Sequence, residues 1–202
     1  MAIKKQGFSF TGGVPIKVSA KSARLNFLEC GPACIDKGCI AKCCDAPTRE
    51  EGMLVTVLKD EQQGVFHEGM KQGFRPAFKD DLLQPKQGTR GCPFKGADHL
   101  CTLHNTPNKP FGCIVSPFML NTKGTLTVRN RYKMLPCYDR EKGKPAYKVF
   151  ESSLRLLFSD EAIVRLLRHL NRGGGDIFLD VTVDVYKKLK SREMHLAHKR
   201  LK

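Results

Sequence analysis

Eight of the nine cysteines in this 202-residue chain fall in two short blocks, a density that an ordinary apolar core does not require. The first block is Cys30, Cys34, Cys39, Cys43 and Cys44, and the second is Cys92, Cys101 and Cys113, with Cys137 standing beyond both. Thiols crowded in this way either close disulfides or bind metal, and the redox compartment decides between the two. Met1 to Ser9 carries Lys4 and Lys5, but no apolar stretch of secretory length and no small-residue cleavage site follows. The expected location is therefore cytoplasmic, where thiols stay reduced. An odd count of nine also fits a closed disulfide framework poorly.

The ligating species is the thiolate, and a tetrahedral zinc ion or an iron-sulfur cluster takes about four of them. Three residues separate Cys30 from Cys34 and Cys39 from Cys43, and four separate Cys34 from Cys39. One turn of chain can bring two such sulfurs to one ion. Adjacent Cys43 and Cys44 would project about 100° apart on a helix, which points to two centres or to one ligand beside one packing thiol. All nine cysteines are candidate ligands, Cys137 the last of them because it lies outside both blocks. His104, three residues after Cys101, has a ligand-compatible spacing, although a lone histidine in a Pro-rich loop is more often simply exposed. His67, His99, His169, His195 and His198 show no pairing, and there is no His-Glu-x-x-His segment. Vicinal cysteines and a surplus of thiols favour an iron-sulfur centre slightly over zinc. No residue is singled out as catalytic.

Charge bounds the partners. The formal net charge is +15, a field that attracts nucleic acid, an anionic surface or an acidic protein. Eight thiolates set against two divalent ions lower it by four, so the chain stays basic. The last 16 residues hold seven Lys or Arg against one Glu. That tail reads first as a solvated helix face and second as an element for nonspecific association with nucleic acid or an acidic protein. No apolar run reaches the roughly 18 residues needed to cross a bilayer. Gly173 to Gly175 lacks the Gly-Lys-Ser/Thr ending of a phosphate loop and reads as a helix stop.

Along the chain, Phe8 to Phe10 and Ile16 to Val18 read as strands, and Cys39 to Cys44 as a helical turn begun by the short helix at Pro32 and stopped by Pro47. Met53 to Leu58 is apolar and β-branched, and Asp60 is placed to cap a helix running to about Glu68, which Gly64 weakens. The second thiol block contains Pro93, Pro107 and Pro110 and is expected to be irregular. Val115 to Leu120 and Thr125 to Arg131 flank Asn121 to Gly124 as a hairpin. Tyr147, Phe150, Leu154, Leu157 and Phe158 form a helical stripe. Ser159 caps a further helix to about Leu170, a strand follows near Ile177 to Val181, and a last helix starts at about Val183.

The second block reads Cys92-Pro-Phe, Cys101-Thr-Leu-His104, Lys109-Pro-Phe-Gly-Cys113 and Ser116-Pro117-Phe118. Taken with the first cluster's Cys-Cys ending and the acidic helix start after Val55, the stretch from Cys30 to Pro117 resembles the YkgJ-type cysteine-cluster proteins, the zinc- or iron-chelating CxxCxxCC family. Cys92, Phe94, Cys101, Leu103, Pro110, Cys113 and Pro117 occupy the places of that family's second block. This chain departs from it in the wider first cluster, in Lys109 where arginine is usual, and in His104 where an aromatic residue is usual. The resemblance implies a bound metal or iron-sulfur centre and no single reaction.

The expectation is an α+β protein: residues 1–28 of strands and turns, a cysteine-cluster metal-binding domain over 29–140 with irregular loops and a hairpin, and a helical basic region over 141–202. Its expected function is metal binding in a structural or redox role. An oxidoreductase or metal-dependent modifying enzyme is one alternative, and a basic module for nucleic acid or an acidic protein is another.

Overall fold

Strand β1 (Gly13–Val18) lies between two partners that come much later in the chain. In the computed structural model, which describes residues 13–29, 41–45, 55–79 and 81–198, with side chains as far as 191, β1 is flanked by the sixth strand in parallel and the eighth in antiparallel. The segments expected at Phe8 to Phe10, Pro32 and Pro47, and with them Cys30, Cys34 and Cys39, lie outside the described residues.

Short elements follow β1: helix α1 (Ala20–Ala23), capped by the Ser19 hydroxyl, and strand β2 (Asn26–Phe27). Helix α2 (Lys59–Lys71) leads to the paired strands β3 (Phe78–Lys79) and β4 (Leu82–Leu83). Beyond the second thiol block come helix α3 (Phe111–Ile114) and the hairpin of β5 (Phe118–Leu120) and β6 (Thr125–Val128). Strand β7 (Lys144–Pro145) pairs with β2 and runs into helices α4 (Ala146–Val149) and α5 (Glu151–Arg155). Helix α6 (Asp160–Asn171), strand β8 (Ile177–Thr182) and helix α7 (Val183–His198) complete the order. The main sheet runs β5-β6-β1-β8, so the protein is α+β. No described helix is long and apolar enough to cross a membrane.

The C-terminal half forms where its local signals place it. The Ser159 hydroxyl accepts from the Ala162 N–H at 3.3 Å, and Asp160 and Glu161 occupy the first turn of α6. Gly173, at φ 81°, closes the helix: its N–H donates to Leu170 and the Gly174 N–H to His169, the pattern of a Schellman stop. Ile163, Leu166 and Leu170 are buried, each contributing roughly 2 kcal/mol against about 1 kcal/mol for the cap. The apolar face thus outweighs the cap in docking α6.

Two local expectations need correction. The stripe from Tyr147 to Phe158 is divided between α4 and α5, because Phe150 leaves helical geometry at φ −112°, ψ 32°. Helix α2 is not capped by Asp60: Leu58 holds the capping position, and the Glu61 carboxylate reaches back to accept the Leu58 N–H at 2.9 Å. Gly64 sits inside α2 because the Asn108 side chain occupies the space a Cβ would take, and the Asn108 amide donates to Glu68 at 2.9 Å.

Two apolar cores result. The larger joins the four-stranded sheet to α1, α4, α5, α6 and α7 through residues such as Ile16, Phe27, Leu126, Leu154, Ile163 and Leu189. The smaller comprises Val57, Val65, Leu83, Phe94 and Leu103, with Cys92 and Cys101 packed against it.

Candidate metal centre

A single 3₁₀ turn, Lys42–Cys44, carries the last two thiols of the first block. It is entered through Ala41 in the left-handed region at φ 51° and closed by the Cys44 N–H donating to the Ala41 carbonyl at 2.8 Å. The expectation that Cys43 and Cys44 point apart is not met, since their Sγ atoms lie 4.0 Å from each other. The winding of the 3₁₀ turn does not account for this, since it sets consecutive residues about 120° apart; the side chains themselves turn toward each other.

Backbone pairing fastens this turn to the second block. Asp45 forms an antiparallel bridge with Gly91, and the Cys92 N–H donates to the Cys44 carbonyl at 3.0 Å. Side chains reinforce the junction. Lys95 reaches the Asp45 carboxylate at 2.9 Å in a largely buried ion pair, and one nitrogen of the Arg131 guanidinium donates to the Cys43 carbonyl at 3.0 Å and to the Asp45 carbonyl at 2.8 Å. Every carbonyl from Cys43 to Asp45 therefore has a donor.

Cys92 and Cys101 sit at either end of a loop closed by the Lys95–Cys101 bridge and by the Thr102 N–H donating to Phe94 at 2.9 Å. Fully buried Phe94 and nearly buried Leu103 anchor it in the smaller core. Each sulfur accepts a backbone N–H from two residues onward, Phe94 for Cys92 and Leu103 for Cys101. Such bonds favour the thiolate.

Cys113 lies in α3. The Phe111 N–H at its start donates to Glu61 at 2.7 Å, so one carboxylate ties the first turn of α2 to the turn bearing Cys113. Gly112 fits against the Thr56 backbone, where a Cβ would stand 2.6 Å from the Thr56 oxygen. Nearby Thr56 Oγ1 is buried without a hydrogen-bond partner among the described residues. Cys137 packs in the larger core, its carbonyl accepting from the Leu28 N–H at 2.8 Å. His104 is exposed and its Nδ1 lies 3.0 Å from the Lys109 ammonium, so that nitrogen serves as an acceptor for Lys109.

The thiols of the cluster are half-buried, and a cation stands beside three of them. The Cys43 thiol is driven up by its hydrogen bond to Cys44 and by burial, with Arg131 opposing. Burial pushes Cys92 up to about 12, and the neighbouring Cys113 and Cys101 add to the rise while Lys95 opposes it. Cys101 rises through burial, with Lys109 opposing and Cys43 adding. Burial also pushes the Tyr132 phenol up to about 12, with Cys43 contributing. Cys43, Cys92, Cys101 and Cys113 thus share one neighbourhood. Among the described residues no three His, Cys, Asp or Glu side chains are drawn together closely enough to hold a metal ion.

The donor set nevertheless suits a soft cation. It offers thiols with backbone N–H groups aimed at two sulfurs and a cation beside three, whereas hard cations take oxygen ligands. Cys43, Cys44, Cys92, Cys101 and Cys113 are the described residues that would hold such an ion. Sequence spacing points to these cysteines but not to Glu61, Arg131, Thr56 and Gly112, which brace them from distant positions and carry no local motif.

No family model, curated protein or solved structure matches this chain, so the likeness to the cysteine-cluster family rests on the motifs quoted from its own sequence.

Proposed function

We propose that this chain is a metal-binding protein of the YkgJ-type cysteine-cluster kind, working in a reducing compartment, whose clustered thiolates hold a zinc ion or an iron-sulfur cluster in a structural or redox role. The observation that carries the reading is the backbone pairing of Cys44 with Cys92 and of Asp45 with Gly91, which joins two thiol blocks nearly 50 residues apart in sequence. Cations beside Cys43, Cys92 and Cys101 support it, because a four-thiolate centre on a divalent ion carries excess negative charge.

The strands beside the smaller core are two residues long, and a bound metal would add folding free energy there, because ligation couples directly to ordering of the loops that bear the ligands.

Anaerobic purification followed by elemental analysis and a visible spectrum tests the reading. Stoichiometric zinc, or iron with sulfide and charge-transfer absorption, supports it, and protein holding neither metal refutes it.

A second reading draws on α7, whose Lys187 is exposed, and on the sequence after it, which stays basic to Lys202. As a module for nonspecific contact with nucleic acid, the protein would bind a random duplex with an affinity that falls steeply with salt. Salt-independent binding, or none, refutes that role.

A further inference from the structure

Cys43 and Cys44 are consecutive, yet their Sγ atoms are 4.0 Å apart. Two sulfurs bound to one tetrahedral zinc at about 2.3 Å stand about 3.8 Å apart, so the pair already spans a single ion. In a four-iron cluster each iron takes one cysteine, and its ligand sulfurs are spread across the whole cluster. We propose that Cys43 and Cys44 are two ligands of the same tetrahedral, zinc-class ion, forming a vicinal chelate. This rests on the metal-binding reading above and narrows it to a mononuclear site.

The turn is built for this task. Arg131 takes the carbonyls on either side of Cys44, those of Cys43 and Asp45, and the Cys92 N–H takes that of Cys44 itself. Three successive peptide groups are thereby fixed, and only the two side-chain torsions remain for the ion to set. Fewer torsions to immobilise means a smaller entropic cost of ligation. Cys92, Cys101 and Cys113 are the described cysteines of the second block that could complete the set, and Cys92 is already attached to Cys44 through the backbone.

Full-length reduced protein, stripped of metal and titrated anaerobically with Co(II), reads the number of sulfurs on the ion through sulfur-to-cobalt charge-transfer absorption. Cys43→Ser and Cys44→Ser are each expected to remove about one quarter of that ion's charge-transfer intensity and to weaken its binding. Cys44→His is expected to retain stoichiometric binding with three sulfurs' worth of intensity, which separates loss of a ligand from loss of the fold. A wild-type spectrum and affinity in either serine variant overturns the chelate. So does depletion of two different ions by the two variants, or equimolar iron and sulfide in the purified protein. Protein that binds neither zinc, cobalt nor iron refutes the metal-binding reading itself, whereas wild-type cobalt binding with an unaltered Cys44→Ser spectrum refutes only the chelate.

Discussion

Gly112 shows how one residue without a side chain governs the position of one with a reactive side chain. Because a Cβ there would stand 2.6 Å from the Thr56 oxygen, Gly112→Ala must push α3 away from the chain before α2 and move Cys113 with it. The expected cost is about 1 to 3 kcal/mol, read as a lower urea midpoint, together with weaker retention of metal. Glu61 governs the same junction from the other side. Burial raises its carboxyl above the usual range, Asp60 adds to the rise, and the N–H groups of Phe111 and Leu58 pull it down. A carboxyl raised in the folded state contributes its full stability below the unfolded value of about 4.3 and loses it as pH rises through the folded value. Wild type should therefore gain stability relative to Glu61→Gln as pH falls toward 4, and parallel urea midpoints for the two proteins across that range would contradict this. None of these relations has a sequence signal, since Thr56, Glu61 and Gly112 meet only because the chain folds back on itself.

Elements whose signals are local could be read before folding was considered. The hairpin of β5 and β6 is one: Asn121 accepts the N–H groups of Lys123 and Thr125 at 2.9 and 3.0 Å, and Gly124 takes φ 69°. Asn121→Ala is expected to cost about 1 kcal/mol, and an unchanged denaturation midpoint would show that the turn holds without its side chain. The caps and glycine stop of α6 were legible for the same reason. Helix α2 was legible in place but not in detail, because Asp60 and Glu61 are both plausible at its start and only the fold reveals that Glu61 reaches back to Leu58. The break at Phe150 has no signal of its own, because the apolar stripe on either side of it is continuous in sequence.

At the scale of the whole molecule the two cores differ in what supports them. The larger joins five strands and five helices, and the smaller gathers five apolar side chains beside Cys92 and Cys101. On the proposed metal-binding reading, removal of metal by a chelator should speed hydrogen exchange in β3, β4 and the Cys92 to Cys113 loop while leaving β1, β8 and α6 protected. Equal protection in both regions with and without chelator would show that the metal carries no structural load. The cysteine spacing nominates the residues of the candidate centre, but the contact between Cys44 and Cys92 depends on long-range pairing that spacing does not encode.

The placement of β1 in its sheet also sets an order of events. Its partners β6 and β8 lie more than 100 positions downstream, so during synthesis β1 leaves the ribosome long before either exists. The two thiol blocks emerge complete in that interval, before β6 and well before β8. On the proposed metal-binding reading, the ligands around Cys44 and Cys92 are all available to an ion before the strands that complete the main sheet have been made.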